Sequence, residues 1–231
     1  MIQVDIPLGK IAKKLAKVTD EIVLYGREGG GLYLLAMDPS QSLLICIDAG
    51  ISLDEDIRAG LSTKELRETT KGIRYTLDYD QGAWRVVYET TSGLRVKKKL
   101  SGLEPTIPVE EVIKLGADAK EWATVDYVSL SQALSEIEGD SVKLVFTQGK
   151  PGKLSLVSSE PGKEVEVEVS VSEVERSFEV RVDPKLLEGA IEALEPLTRT
   201  FRIGLTEKGI LVIKPSTSKD ETKALIAPLA E

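Results

Sequence analysis

Residues 101–122 have the sequence SGLEPTIPVEEVIKLGADAKEW, whose glycines and prolines interrupt two long regions of strand-like alternation. The residue pattern before this stretch recurs after it, which indicates an internal sequence repeat. The pair Val4-Asp5 matches the pair Val125-Asp126 at an offset of 121 positions (125 − 4). We therefore predict two similar domains joined by one linker.

Both halves contain the same order of elements. A strand and an amphipathic helix are followed by a strand, a glycine turn and another strand, and later by a second helix. The second helices begin at Ser62 and Asp183, again 121 positions apart (183 − 62). These patterns predict an α+β fold with antiparallel sheets and two helices in each domain. The predicted domains are 1–101 and 123–231, with an interdomain connecting loop at 102–122.

The composition is typical of a globular protein. Of the 231 residues, 42% are hydrophobic and 29% are charged, which provides enough apolar material for a core in each half. No apolar run approaches the roughly 18 to 20 residues that cross a bilayer, and the N-terminus lacks the pattern of a secretory signal. The single cysteine, Cys46, lies in an apolar run and has no intramolecular disulfide partner. We expect a cytosolic protein in a reducing compartment.

The residues that usually support catalysis are scarce. The chain has no histidine, which removes the commonest general base and metal ligand. The acidic cluster at 54–56 lies in a polar connection without a second cluster nearby, so a solvated loop is the better interpretation. The glycines at 29–31 precede a strand, whereas a phosphate-binding loop precedes a helix, and they therefore predict a hairpin turn. We expect neither an enzyme nor a bound metal or cofactor.

Two helices of the first half carry rows of basic side chains. The first, predicted over 8–18, places lysines at i, i+3, i+4 and i+7, opposite an apolar stripe. The second, predicted over 62–71, begins at a Ser62 N-cap with Glu65 in the capping-box position. The rows comprise Lys10, Lys13, Lys14 and Lys17 on the first helix, and Lys64, Arg67 and Lys71 on the second. A single row is most often a solvated face, but two rows in one domain indicate a polyanionic partner.

The charge is divided unequally between the halves. Residues 1–101 contain 15 Lys and Arg and 14 Asp and Glu, which gives a net charge of +1. Residues 102–231 contain 15 Lys and Arg and 24 Asp and Glu, which gives −9, and the two halves add up to the net charge of −8 of the chain. The predicted helices of the second half carry Lys185 as their one basic residue. A nucleic-acid function therefore depends on the first half.

Two predicted edge strands each carry one sign of charge. The strand at 94–99 is basic and the strand at 164–169 is acidic, with exposed positions at Arg95, Lys97, Lys99, Glu164, Glu166 and Glu168. Charged edges commonly prevent aggregation between sheets, and this remains one interpretation. The other is that the acidic edge of one copy pairs with the basic edge of the next, a head-to-tail contact that makes a ring when the rotation closes.

Residues 32–41, LYLLAMDPSQ, resemble a motif of the proliferating cell nuclear antigen family, the sliding clamps of archaea and eukaryotes. Residues 223–228, KALIAP, resemble the end of that family before its short acidic tail, and Leu115-Gly116 resembles part of its interdomain connecting loop. The resemblance covers the whole chain in order and length. It implies a closed ring, usually a trimer of two-domain subunits, with inner helices around a central hole and outer antiparallel sheets.

The function that the resemblance implies is that of a processivity factor for DNA replication and repair. Duplex DNA would pass through the hole and meet the two basic rows through phosphate contacts that carry no sequence information. The charged edges would form the subunit interface. DNA polymerase, flap endonuclease, DNA ligase and the clamp loader would dock through short peptide motifs. The pocket for these peptides would comprise Met37, Gln41, Leu44, Leu115, Ala117, Ile210, Leu225, Ala227 and Pro228.

The implied pocket departs from the family pattern at four residues, one of which is Leu229, which follows Pro228 where the family has a basic residue. Gln41 stands where the family commonly has a basic or imidazole residue, Ser42 where it has an aliphatic residue, and Leu225 where an aromatic residue is frequent. Whether the pocket binds the usual partner peptides therefore stays open.

Assembly and biological role also have open alternatives. The few basic residues in the second-half helices fit a homotrimer that contacts DNA through its first domains, or one subunit of a heterotrimer. The alternative functions are a checkpoint-type clamp subunit and a β-rich scaffold that never meets DNA. A clamp would act in the nucleoid-containing cytoplasm of an archaeon or in a eukaryotic nucleus. The absence of asparagine, with abundant Glu and Lys, suggests a thermophilic source.

Overall fold

A computed structural model of the protein describes residues 1–160, 163–217 and 221–229. The chain forms two compact units, Met1–Ile113 and Lys114–Glu231, and the division lies inside the predicted connecting loop. Within the described residues, no helix is long and apolar enough to cross a membrane.

The first unit is an antiparallel sheet that carries short helices on one face. Its elements are β1 (Ile2–Val4), α1 (Leu8–Leu15), β2 (Glu21–Gly26), β3 (Gly31–Met37), β4 (Leu43–Ser52), β5 (Ile57–Ser62), α2 (Thr63–Leu66), a 3-10 turn (Arg67–Thr69), β6 (Gly72–Asp80), β7 (Ala83–Thr90) and β8 (Arg95–Leu103). The strand order is β1-β6-β7-β8-β5-β2-β3-β4. Because β2 and β3 pair as neighbours on either side of the glycines at 29–31, the predicted hairpin turn is confirmed.

Alternation along the strands decides which side chains enter the core of this unit. On β6 and β7, Tyr75, Leu77, Trp84 and Val86 are almost fully buried, and the residues between them face solvent on the other side of the sheet. Trp84 anchors the sheet further, since its indole N–H donates to the carbonyl oxygen of Gly60 at 2.9 Å.

The second unit contains two antiparallel sheets. Helix α3 (Val109–Lys114) spans the boundary between the units, and the elements that follow are β9 (Lys120–Asp126), α4 (Tyr127–Ser135), β10 (Val142–Thr147), β11 (Gly152–Glu160), β12 (Lys163–Val171), β13 (Glu173–Val174), β14 (Phe178–Val182), α5 (Pro184–Leu194), β15 (Thr200–Leu205), β16 (Leu211–Pro215) and β17 (Lys223–Ile226). In the described residues, one sheet has the order β13-β9-β15-β16-β17 and the other β12-β11-β10-β14.

A tryptophan also marks the sheet of β9, β15 and β16. The Trp122 ring is half-buried, with the Arg202 guanidinium carbon 4.9 Å and the Lys214 ammonium nitrogen 5.2 Å from its centroid. Its neighbour Gly204 leaves room for the indole, because a Cβ atom there would lie 2.7 Å from the ring. Cation–π contacts therefore hold the ring in place, and the lack of a side chain at Gly204 leaves space for it.

The predicted α+β fold with two similar units is confirmed, and three helix boundaries are corrected. Helix α1 ends at Leu15 and not near residue 18, because the chain tightens after it into short-range turns such as Val18 N–H to Leu15 C=O at 2.8 Å. Helix α4 occupies Tyr127–Ser135 instead of 129–137, since the Asp126 carboxylate caps it by accepting from Ser129 N–H at 3.0 Å. The third correction concerns the second helix of the first unit.

Candidate nucleic-acid interface

Helix α1 buries one face and presents lysines on the other. Leu8, Ile11 and Leu15 are at most 1% exposed, whereas Lys10 and Lys13 are exposed. Lys17 is exposed and Lys14 half-buried. The lysine row therefore lies opposite the apolar stripe, as the 3.6-residue period predicts.

The second basic helix is much shorter than its sequence pattern suggests. The predicted helix over 62–71 is wrong in extent: α2 covers one turn, and a 3-10 turn ending at Thr69 follows it. The β-branched pair Thr69-Thr70 has a low helix propensity, and the Thr69 hydroxyl donates to the Leu66 carbonyl at 2.8 Å, which competes with a regular helical continuation.

The predicted N-cap is confirmed, but the capping box is incomplete. The Ser62 hydroxyl accepts from Glu65 N–H at 3.4 Å. The Glu65 carboxylate does not return this bond to Ser62 and instead accepts from Ser101 N–H at 3.1 Å. Glu65 therefore ties the short helix to the end of β8, a contact between residues 36 positions apart (101 − 65) that local sequence patterns do not contain.

The hydroxyl of Tyr75 joins the two basic elements. It accepts from Gly9 N–H at 3.0 Å and donates to the Thr69 carbonyl at 2.8 Å. The first turn of a helix leaves N–H groups without intrahelical partners, and Pro7 makes no side-chain cap, so Tyr75 satisfies one of these groups in α1. Burial raises the pKa of the Tyr75 hydroxyl above its ordinary value, which keeps this connecting group neutral.

Gly9 lets α1 and the 3-10 turn approach closely. A Cβ atom at Gly9 would lie 2.5 to 2.6 Å from the backbone and hydroxyl of Thr69. The close approach and the shared Tyr75 hydroxyl fix the two basic rows relative to each other. Tyr75 was not among the predicted functional residues, although a tyrosine at a core-facing position of an alternating strand is a signal that its hydroxyl needs a buried partner.

The cations of this surface differ in how much of their charge is available. Lys64 is paired with Asp20 at 2.9 Å, although both side chains are largely exposed. Lys10, Lys13 and Lys71 form no ion pair with any residue that the structure describes. These exposed cations give the helical face of the first unit a positive surface suited to phosphate groups.

One acidic group interrupts this positive surface. Glu68, on the 3-10 turn, accepts from the Lys98 ammonium at 2.8 Å. The hydrogen bond from Lys98, together with its charge, lowers the pKa of the Glu68 carboxyl below its ordinary value. Lys98 thereby neutralises the glutamate beside the second basic row.

The helices of the second unit present a different surface. Helix α4, with the sequence YVSLSQALS, contains no charged residue. Helix α5 contains one basic residue, Lys185, and two acidic residues, Glu188 and Glu192. The Lys185 ammonium group lies 3.6 Å from the Asp140 carboxylate. The capacity for phosphate contacts is therefore concentrated in the first unit.

Both strands predicted as charged edges do lie at sheet edges. Strand β8 pairs with β7 along its length, and β5 pairs with it only at Gly102 and Leu103. Among the described residues, β12 is the last strand of its sheet and pairs with β11. The side chains of the six predicted interface residues are exposed, and Glu168 forms an ion pair with Lys153 of its own sheet. Their role between subunits remains a prediction.

The residues predicted to bind partner peptides occupy both units. In the first unit, Met37 is half-buried, Leu44 is buried and Gln41 is exposed. Gln41 has a φ angle of 59° in the turn after β3, where the Asp38 carboxylate accepts from Leu43 N–H at 2.6 Å. This carboxylate fixes the turn that carries the family-like motif.

The remaining predicted peptide-binding residues lie in the second unit. Ala117 and Pro228 are exposed, Ile210 and Ala227 are half-buried, and Leu225 is buried. Leu115 exposes 43% of its surface, and the following Gly116 has a φ angle of 75° and lies against Val212 and Leu225. Leu225 therefore supports the backbone after α3 and is not an open surface residue. The peptide-binding role of these residues is still a prediction.

The described residues contain no cluster of three or more His, Cys, Asp or Glu side chains that could hold a metal ion. Cys46, the single cysteine, is buried in β4. The basic surface described above offers the charge of lysine and arginine side chains to an anion.

Comparison with known proteins shows the fold. No protein-family model and no curated protein matches the sequence. The PCNA2–PCNA3 complex from Sulfolobus tokodaii contains a chain of similar structure, with a TM-score of 0.76 and 18% identity over 100% of both chains. PCNA from Thermococcus kodakaraensis gives a TM-score of 0.74 and 18% identity over 99% of both chains. The protein thus has the fold of archaeal PCNA.

Proposed function

We propose that the protein is a DNA sliding clamp, a ring-forming, non-catalytic subunit that encircles duplex DNA and tethers replication and repair enzymes. The observation that carries the proposal is the pair of basic rows that Tyr75 and Gly9 hold together on one face of the first unit. The PCNA fold supports it, because this positive surface occupies the helices of that fold.

The charge distribution suits a protein that holds DNA by topology. The chain has a net charge of −8, so it opposes general adsorption to DNA, while its cations are grouped where a duplex would pass. Contacts to phosphates are independent of sequence and weaken with salt. Each contact changes the slope of the logarithm of the binding constant against the logarithm of the salt concentration by about −0.9. A ring with few such contacts stays on DNA and still slides.

The other parts of this proposal concern assembly and partners. The charged edges β8 and β12 form the contacts between subunits. The residues that the family resemblance assigns to the peptide pocket receive short apolar peptides from DNA polymerase, flap endonuclease, DNA ligase and the clamp loader. Because its ligand is chromosomal DNA, the protein acts in the nucleoid of an archaeal cell, or in the nucleus if its source is eukaryotic.

The test compares retention on circular and linear DNA. A clamp loaded by the clamp loader of its own cell should stay on nicked circular DNA through a high-salt wash and leave linear DNA through its ends. Equal loss from both substrates would contradict encirclement. The double variant Lys13→Glu with Arg67→Glu should lower retention and polymerase stimulation at moderate salt, because it places carboxylates beside phosphates.

A matched control reverses two charges on the opposite face of the same sheet. Arg74 and Arg85 are exposed on the side of β6 and β7 away from the helices. The variant Arg74→Glu with Arg85→Glu has the same change in net charge and should retain function. If both double variants behave alike, the basic rows have no specific role.

A further inference from the structure

One face of the sheet of β9, β15 and β16 carries an aromatic ring and two cations. Arg202 and Gly204 are two positions apart on β15 and therefore share a face, and Lys214 lies directly opposite Arg202 on β16. The Trp122 ring covers Gly204 on this face, because a Cβ atom there would lie 2.7 Å from the indole. The two cations lie 4.9 and 5.2 Å from the ring centroid. The side chains of Trp122, Arg202 and Lys214 together form an aromatic–cationic surface.

The chain that follows α3 packs on the same face. Val212 lies directly opposite Gly204, and Leu225 lies directly opposite Val212 on the next strand. A Cβ atom at Gly116 would lie 2.6 Å from Leu225 and 3.3 Å from Val212, so the backbone there rests on these two side chains. Leu115, which precedes it, exposes 43% of its surface. The aromatic–cationic surface is therefore a neighbour of the predicted peptide-binding residues of the second unit.

One short peptide is long enough to reach both places. Neighbouring strands lie about 4.8 Å apart, and consecutive residues along a strand are about 3.4 Å apart. The Cα atoms of Arg202 and Lys214 therefore lie about 8 to 12 Å from that of Leu225 across the face, a distance that about three residues of extended chain span. A peptide that is held by apolar anchors at Leu115 would place a flanking residue at the two cations.

The aromatic–cationic surface suits a carboxylate. Arg202 donates to the Glu175 carboxylate at 3.3 Å, and the two side chains are 45% and 50% exposed. A guanidinium has five N–H donors in a planar fork that matches a carboxylate, and this bond uses one of them. The cation–π contact with Trp122 orders the Arg202 side chain in advance, which reduces the entropy lost on binding. Lys214 adds a second positive charge beside it.

The surrounding charge favours a peptide over a polynucleotide. Residues 102–231 contain 15 Lys and Arg and 24 Asp and Glu, a net charge of −9, which repels a long polyanion. A single acidic side chain at the two cations gains their attraction without spreading further negative charge over this half of the protein.

We propose that Trp122, Arg202 and Lys214 form an acid-selective subsite for partner peptides, in which they bind an Asp or Glu side chain about three residues from the apolar anchors that dock at Leu115. The inference rests on the proposed docking of short apolar peptides, and it adds the charge that this chain selects beside those anchors. Partners with acidic residues at this position bind in preference to partners with basic ones.

Calorimetric titration with paired synthetic peptides tests the selection. The probe is the docking peptide of the flap endonuclease from the same genome, made with Glu-Glu or with Lys-Lys about three residues from its apolar anchors, on either flank. The native chain should bind one Glu form about tenfold more tightly than the matching Lys form, since two exposed ion pairs are gained. In Arg202→Gln with Lys214→Gln, the two affinities should agree within about twofold. A general loss of stability cancels in this ratio.

A matched control removes two other cations of the second unit that also form ion pairs. Lys143 lies 2.9 Å from Glu179, and Lys185 lies 3.6 Å from Asp140. The variant Lys143→Gln with Lys185→Gln has the same change in net charge and should keep the preference for the Glu form. Loss of the preference in this control would overturn the subsite, because net charge alone would then explain the effect.

Charge reversal gives a gain of binding that misfolding does not imitate. The variant Arg202→Glu with Lys214→Glu should bind the Lys form more tightly than the Glu form. Equal affinities of the native chain for both forms would overturn the subsite and leave peptide docking intact. Binding of neither form would contradict the docking and the subsite together. Displacement of the Glu form by a short oligothymidylate would also overturn the proposal, because it would assign these cations to nucleic acid.

Discussion

Replacing Tyr75 with phenylalanine removes one oxygen atom that joins helix α1 to the 3-10 turn. The ring stays buried, so the loss of apolar burial is negligible, but Gly9 N–H and the Thr69 carbonyl lose their partner. Each buried polar group left without a hydrogen bond costs about 1 to 3 kcal/mol. We expect the free energy of unfolding to fall by about 2 to 4 kcal/mol.

Chemical denaturation followed by circular dichroism measures this change. The matched control is Tyr88→Phe, because Tyr88 is also buried in this sheet, with its ring centroid 5.9 Å from that of Tyr75, and its hydroxyl makes no hydrogen bond to a residue that the structure describes. The control should change stability by less than about 1 kcal/mol. Equal effects of the two variants would refute the role given to the Tyr75 hydroxyl. Because this bond positions the basic rows, Tyr75→Phe should also lower retention on circular DNA at moderate salt.

Two further predictions concern the same contact between helix α1 and the 3-10 turn. Gly9→Ala should destabilise the protein despite the better helix propensity of alanine, because the added methyl group would lie 2.5 to 2.6 Å from Thr69. A melting temperature equal to or above that of the native protein would contradict the close approach. The free energy of unfolding should also fall as the pH rises above about 10, because the unfolded chain releases the Tyr75 proton there, while the folded protein, in which the pKa of Tyr75 is raised, still holds it. A plot of the urea midpoint against pH should therefore have a smaller slope for Tyr75→Phe than for the native protein. An unchanged slope would contradict this linkage.

The fold was predictable where periodicity and local signals agree. The repeat at an offset of 121 positions identified two units, and alternation identified the edge strands β8 and β12 to within a few residues of their observed bounds. The Ser62 cap was predictable because a hydroxyl before a helical pattern has a local partner. These features depend on residues close together in the sequence.

The features that sequence analysis missed depend on distant residues. The length of α2 could not be predicted, because Thr69 is held against Gly9, 60 positions earlier (69 − 9), and the helical pattern alone continues through it. The partners of Glu65 and Lys64, which are Ser101 and Asp20, also lie far away in sequence. The candidate site was therefore predicted as a set of basic residues, while its geometry required the tertiary structure.

The positions of Trp84 and Trp122 have a practical consequence for spectroscopy. The chain contains two tryptophans, one in each unit. Trp84 is fully buried beside the Gly60 carbonyl, whereas Trp122 is half-buried between cations, so their fluorescence should differ in emission wavelength and quenching. Each indole is an intrinsic reporter for one half of the molecule. With single Trp→Phe variants, stopped-flow fluorescence can show which half unfolds first.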